Sequence, residues 1–216
     1  HRAVGNRTSE GSVLGNIATM HQAQGHVDAA LMHYEQALTI HRDAGNRHSE
    51  AIVLTTMGML HRDQGRADAA YAHYEQARDI FQRLGERASE AEVLGSLATL
   101  HHSRGDMDAA RAHYEQALDI HRQTGCRPEE AKILGDLGIL HRMQGRMDTA
   151  HALYEQALTI AREVRDRRVE GLMLGNLCIL HRLQGDLLAA LDHCEQALTI
   201  HREVGNRRSE GSILGN

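Results

Sequence analysis

The chain repeats itself every 40 residues, and this period limits its possible folds more than any other feature. The string Tyr34-Glu35-Gln36-Ala37 recurs at Tyr74, Tyr114 and Tyr154, and as Cys194-Glu195-Gln196-Ala197. Gly25 returns as Gly65, Gly105, Gly145 and Gly185, and His21 as His61, His101, His141 and His181. The first 16 and last 16 residues differ at only three places, Ala3/Glu203, Thr8/Arg208 and Val13/Ile213. Residues 1–216 are therefore one tandem-repeat domain of five full periods and a partial one. The chain begins and ends inside the unit, and this phase predicts that the array continues outward.

Each unit reads as two helices of about 17 residues. Val53, Leu54, Met57 and Leu60 fall at spacings of three and four, as do Ile133, Leu134, Leu137 and Leu140. Ala70, Tyr74, Ala77 and Ile80 form one face of the second helix. Gly65 and Gly145 supply the left-handed residue that ends a first helix. Second helices are predicted to end at Gly5, Gly45, Gly85, Gly125 and Gly205. Arg165 stands once in that series, at a cost if the conformation is kept. Asp28, Asp68, Asp108 and Asp148 are placed to accept orphan amide hydrogens at the start of second helices, and Leu188 breaks the series. Asn46 and Asn206 read as N-caps. Glu50, Glu90, Glu130, Glu170 and Glu210 occupy first turns, where the helix dipole favours them, and Pro128 is tolerated there. Gly15, Gly95, Gly135 and Gly175 lie inside first helices and predict close backbone approach, more readily by packing than by a ligand.

Composition closes several alternatives. A net charge of -5 lacks the basic excess of a nucleic-acid binder. Aromatics make up 3% with no Trp, so Leu, Ile, Val, Met and Ala must build the core. No apolar run reaches the roughly 18–20 residues of a membrane span. Cys126, Cys178 and Cys194 are odd in number, with no C-x-x-C pair. They predict no disulfide framework, a core role for Cys178 and Cys194, and a reducing, cytoplasmic location. The 17 histidines raise the question of metal. One row (His21, His61, His101, His141, His181) places its members a repeat apart, roughly 8–10 Å, too far to converge on zinc. A second row runs through His33, His73, His113 and His193. The reading is packed histidines, no metal site and no cofactor. Every carboxylate near a histidine recurs along the array, whereas a catalytic site is a single asymmetric constellation. No enzyme is expected.

Leu134-x2-Leu137-Gly138-x2-His141…Ala150-x3-Tyr154 resembles the tetratricopeptide repeat, and Leu54, Met57, Gly58, His61, Ala70 and Tyr74 follow the same pattern. Leu replaces the family's Trp, His replaces its Tyr, and its Pro is missing. The unit is six residues longer than the usual 34, like the repeats of Pins/LGN-type adaptors and bacterial signalling proteins. Small residues at Ala18, Gly58, Ala98, Gly138 and Cys178 are expected to face Ala30, Ala70, Ala110, Ala150 and Ala190. The resemblance implies an all-α, right-handed superhelical solenoid of antiparallel helix pairs. It also implies that first helices line a concave, peptide-binding groove.

On that implication the groove stripe runs through Ser12, Gly15, Asn16, Thr19 and Gln22, with Arg62 in the second repeat, then Lys132, Asp136, Ile139, Arg142 and Met143, then Leu172, Asn176, Ile179, Arg182 and Leu183. Ile139 and Ile179 beside Arg142 and Arg182 suit an acidic, partly apolar peptide, with the carboxy-terminal half as the principal site. The function expected is a non-catalytic interaction scaffold for a protein or peptide segment, with no nucleic acid and no membrane. The alternative is a structural or regulatory spacer linked to effector domains elsewhere. Val13, Leu14 and Ile17 at one end, and Ile213 and Leu214 at the other, resemble interior surfaces and predict end-to-end self-association.

Overall fold

A computed structural model describes the backbone of residues 2–206 and the side chains of residues 7–206. Among the described residues all regular structure is helical. The helices are α1 (Arg2–Ala23), α2 (Val27–Asp43), α3 (Arg47–Asp63), α4 (Ala67–Leu84), α5 (Arg87–Ser103), α6 (Met107–Thr124), α7 (Arg127–Met143), α8 (Met147–Glu163), α9 (Arg167–Gln184) and α10 (Leu187–Glu203). Two compact units divide them, His1–Asp106 with α1 to α5 and Met107–Asn216 with α6 to α10. In the first, α1 pairs with α2 and α3 with α4, and α3 touches both α1 and α5. In the second, α7 pairs with α8 and α9 with α10, and α7 touches α9. Odd-numbered helices thus neighbour odd-numbered helices within each unit.

Turn chemistry ends the helices where the glycines predict. Gly25, Gly45, Gly65, Gly85, Gly105, Gly125, Gly145, Gly185 and Gly205 all have φ between 68 and 82°. The residue after each glycine donates its backbone N–H back over the helix end, as Asn46 does to His41 (2.9 Å) and Arg66 to His61 (2.9 Å). Arg165 keeps the geometry with φ 59°, the one non-glycine to do so among the described residues. Gly5 departs from expectation, because α1 runs unbroken from Arg2 through it. Glycine permits a left-handed turn but does not compel one.

The aspartates of the second helices also need correction. Asp28, Asp68, Asp108 and Asp148 lie within first turns, one residue past the N-terminus, so they favour the dipole rather than cap. His26, Arg66 and Arg146 stand at N-cap positions without a side-chain bond. The last hairpin, which has Leu188 in the Asp series, is capped instead by Asp186, accepting from Ala189 N–H at 3.1 Å. Asn46 caps α3 as expected, accepting from Ser49 N–H at 3.2 Å. Asn206 is followed by residues outside the described range, as are Glu210, Ile213 and Leu214.

Aliphatic rows and alanines form the core. Ala30, Ala70, Ala110 and Ala150 are fully buried, as are Leu54, Leu97, Leu140 and Leu180. Each such leucine contributes roughly 1.5–3 kcal/mol by burial. The first-helix small position faces an aromatic ring more closely than an alanine. A Cβ built on Gly58 would come within 2.6 Å of the Tyr74 ring, and one on Gly138 within 2.4 Å of Tyr154. The fifth repeat replaces both partners by cysteine, and Cys178 and Cys194 form a disulfide with Cα atoms 5.3 Å apart. The expectation of no disulfide is thereby overturned. The hairpin sets these two positions opposite each other, so paired cysteines meet where a small residue and a tyrosine meet elsewhere.

Candidate functional site

The first-turn glutamates do more than favour the dipole. Glu50, Glu90, Glu130 and Glu170 are all buried. Glu50 accepts from Arg42 Nε (2.8 Å), on the preceding second helix, and from Arg47 Nη1 (2.7 Å). Glu130 pairs likewise with Arg122 and Arg127, and Glu170 with Arg162 and Arg167. Glu90 has Arg87 (2.7 Å), while Gln82 stands where the other arginine would be. Burial pushes the Glu50 carboxyl up, but the two guanidinium hydrogen bonds and charges outweigh it and hold it below the ordinary range. These clamps fasten one hairpin to the next and position the first helices.

The two histidine rows meet across hairpins, which distances within one row do not reveal. His21 stacks on His33 at 5.4 Å between ring centroids, and His181 on His193 at 5.1 Å. His61 and His73 approach to 5.2 Å. Burial lowers the pKa of His61, His73 and His181, which favours neutral rings. Among the described residues no group of three His, Cys, Asp or Glu is arranged to hold a metal ion.

The stripe chosen from sequence lies on the first helices. In the second unit Lys132, Asp136, Ile139 and Arg142 lie on α7, and Leu172, Asn176, Ile179 and Arg182 on α9, which touches α7. Leu172 is 42% exposed, while Ile139 and Ile179 are half-buried. Lys132 is tied to Glu129 at 2.8 Å. Arg142 lies beside the buried Tyr154 hydroxyl, and its Nε has no hydrogen-bond partner. Burial pushes the Asp136 carboxyl up to about 6, so this half of the stripe is not simply cationic. In the first unit Arg62 on α3 is paired with Asp63 (2.9 Å), and Asn16 on α1 is exposed.

The first unit holds cavities along this face, the first of them lined by Ser12, Gly15, Asn16 and Thr19 of the stripe. One of about 230 Å³ lies between α1 and α3, lined by Asn16, Ser12, Thr19, Tyr34, His41 and neighbours. Another of about 300 Å³ lies between α3 and α5, with Ile52, Thr56, Met59, Phe81 and Val93 among its walls. Extending the same column of positions into the second repeat would have found Ile52 and Thr56. Cavity volume itself depends on side-chain lengths across two helices, which no single helix reveals. The recurrent glycines divide. A Cβ on Gly135 would come within 2.6 Å of Met173, so that glycine serves packing, but nothing lies within 4 Å of one on Gly15 or Gly175. The packing reading fails at these two positions.

Tetratricopeptide repeat models match residues 9–83, 49–123 and 89–163, and a further one matches 172–204. The chain belongs to the tetratricopeptide repeat family. No curated protein matches its sequence. Among solved structures, BtubC (BKLC) from P. vanneervenii is similar at 19% identity and a TM-score of 0.80, covering 94% of this chain and 90% of that one. The apo form of RapI is similar at 13% identity and a TM-score of 0.85, covering 94% and 74%. The Rap conjugation gene regulator of plasmid pLS20, solved in complex with a Phr peptide, is similar at 16% identity and a TM-score of 0.75, covering 91% and 54%. At these identities the likeness concerns the fold.

Proposed function

We propose that the repeats act as one non-catalytic scaffold that binds an extended protein segment along the first-helix face. The observation that carries this reading is the open space between neighbouring first helices, between α1 and α3 and again between α3 and α5, with bare backbone at Gly15 and the exposed Ile52 (47%) on its walls. A solved neighbour in complex with a peptide supports it. In the second unit the contacts would be Ile139, Ile179 and Leu172 as apolar anchors and Arg142 and Arg182 as cations for an acidic residue. Asn16, Arg62, Lys132, Asp136 and Asn176 would supply polar contacts. Charged hydrogen bonds contribute roughly 1.5–3 kcal/mol when shielded and less in an open groove.

The test is Arg142→Ala with Arg182→Ala, measured against an acidic, leucine-containing peptide selected on the intact chain. Affinity should fall at low salt and change less at high salt. Unchanged affinity at both, with helix content intact, would remove these arginines and return the chain to a spacer role. Among the described residues no helix is long and apolar enough to cross a membrane. A cytoplasmic location is part of the proposal, and there the Cys178–Cys194 pair would be held reduced. End-to-end self-association is proposed on Val13 (56% exposed), Leu14 and Ile17, while Ile213 and Leu214, expected at the other end, lie outside the described residues.

A further inference from the structure

The cavity between α1 and α3 has a chemical character that narrows its occupant. Its volume of about 230 Å³ lies below that of sites for drug-sized ligands and suits one side chain. No Asp, Glu, Lys or Arg lines it. Four of its five hydroxyls, all but that of Ser49, have their hydrogens committed. Ser12 donates to Thr8 C=O (3.1 Å), Thr56 to Ile52 C=O (2.9 Å) and Thr19 to Gly15 C=O (3.0 Å), and Tyr34 donates to Gln22 Oε1 (3.0 Å). What these groups still offer is lone pairs.

The floor carries an unsatisfied polar group. His41 is 2% exposed, lines the cavity, and its Nδ1 has no hydrogen-bond partner. Its Cε1–Nε2 edge lies over Gly11, where an added Cβ would come within 2.8 Å. Burial lowers its pKa, with the charge of Glu50 acting the other way. Gly15, also in the lining, is bare backbone with nothing within 4 Å of a would-be Cβ. Glycine is disfavoured in a helix interior, and no packing contact here requires it.

We propose that this cavity is a binding pocket for a neutral carboxamide side chain, Asn or Gln, of a segment lying along α1 and α3. Its N–H₂ meets the acceptor-rich wall, and the exposed Asn16 amide is available to its C=O. A carboxylate would meet only lone pairs at those four hydroxyls and would lose water with no cation in the lining to receive its charge. An ammonium would lose water with no anion to receive it. The inference rests on the first-helix face being the binding surface, but it lies in the first unit, whereas the arginine test reads the second.

The experiment is a nuclear magnetic resonance titration of the intact chain with N-acetyl-glutamine amide, N-acetyl-glutamate amide and N-acetyl-leucine amide. The glutamine probe should give saturable shifts at the Gly11 and Gly15 amides and the His41 ring, with a Kd of about a millimolar. The other two should not saturate. Gly15→Ala should raise Tm through helix propensity and weaken the glutamine probe roughly ten-fold by filling the opening. His41→Phe, a ring that position 81 already accommodates, should preserve the fold and weaken binding. Equal shifts from all three probes, no shift from any, or undiminished binding by Gly15→Ala would each overturn the proposal. An intact arginine response in the selected acidic peptide would show that the scaffold reading survives that failure.

Discussion

Reduction of the Cys178–Cys194 bond should loosen the last hairpin and spare the others. The two cysteines are 16 residues apart in sequence, and closing a loop of that length removes denatured-state entropy equivalent to about 3 kcal/mol. Elsewhere the same pair of positions is filled by a tyrosine ring over a small residue, as at Gly58 and Tyr74. Two thiols cannot fill that volume, so reduction leaves an underpacked hairpin as well as a longer free loop. Stacked repeats depend on their neighbours, so the loss should concentrate in α9 and α10. Hydrogen exchange read by mass spectrometry, with and without reductant, is the assay. Amides of α9 and α10 should lose roughly a hundred-fold of protection and those of α3 and α4 little. The combined Cys178→Ala, Cys194→Tyr variant restores the pair seen at Ala98 and Tyr114. It should hold the hairpin and ignore reductant. Equal loss in α3 and α4, no loss in α9 and α10, or a variant weaker than the reduced protein would refute the argument.

Stability should also fall with acid. His41, His121 and His201 are at most 2% exposed and burial lowers their pKa. The unfolded chain therefore takes up protons first, and stability is lost as pH falls from 6.5 through the folded pKa values, by up to about 1.4 kcal/mol per group per pH unit. Urea unfolding between pH 8 and 5 checks this, and a flat profile would count against it. Asp136 has the opposite sign, because its carboxyl is raised to about 6. Asp136→Asn should stabilise by about 1–2 kcal/mol at pH 7, after allowance for its partial exposure, and by little at pH 4. Arg165→Gly should raise stability by about 1 kcal/mol, the net of relieved left-handed strain and added chain entropy, and a lower Tm would contradict it. Removing residues 47–86, one full period, should leave a helical but less stable protein by circular dichroism.

The helices, their boundaries and the turns were legible because several local signals agree at each joint. Gly65 ends a helix at the place where the Val53 to Leu60 spacing runs out, and a new apolar spacing begins beyond it. What escaped depends on two helices at once. Glu50 reads in sequence as a first-turn acid, and only the approach of Arg42 from α2 turns it into a buried, clamped carboxylate. The histidine rows were measured along the array, whereas they meet across hairpins. The disulfide had a signal that could have been used. Cys178 and Cys194 occupy the positions of Gly58 and Tyr74, so ring-to-glycine contact in one repeat implies cysteine contact in another. Counting cysteines over the whole chain hid that pairing. Of the candidate site, the face was legible from the family pattern. The depth beneath Asn16 was not, since it is set by His41 on a different helix.

The residue that follows each turn glycine is His26, Asn46, Arg66, Glu86, Asp106, Cys126, Arg146, Asp186 or Asn206, and the backbone bond closing the joint is 2.8–3.0 Å in every case. A joint closed by main-chain atoms forms whichever side chain stands beside it, and the caps supplied by Asn46 and Asp186 are additions to it. After a duplication, selection would be free to alter that residue at once without misfolding the new copy. Such positions are where a lineage of these repeats can accumulate differences earliest, and where mutational drift carries the least history of shared ancestry.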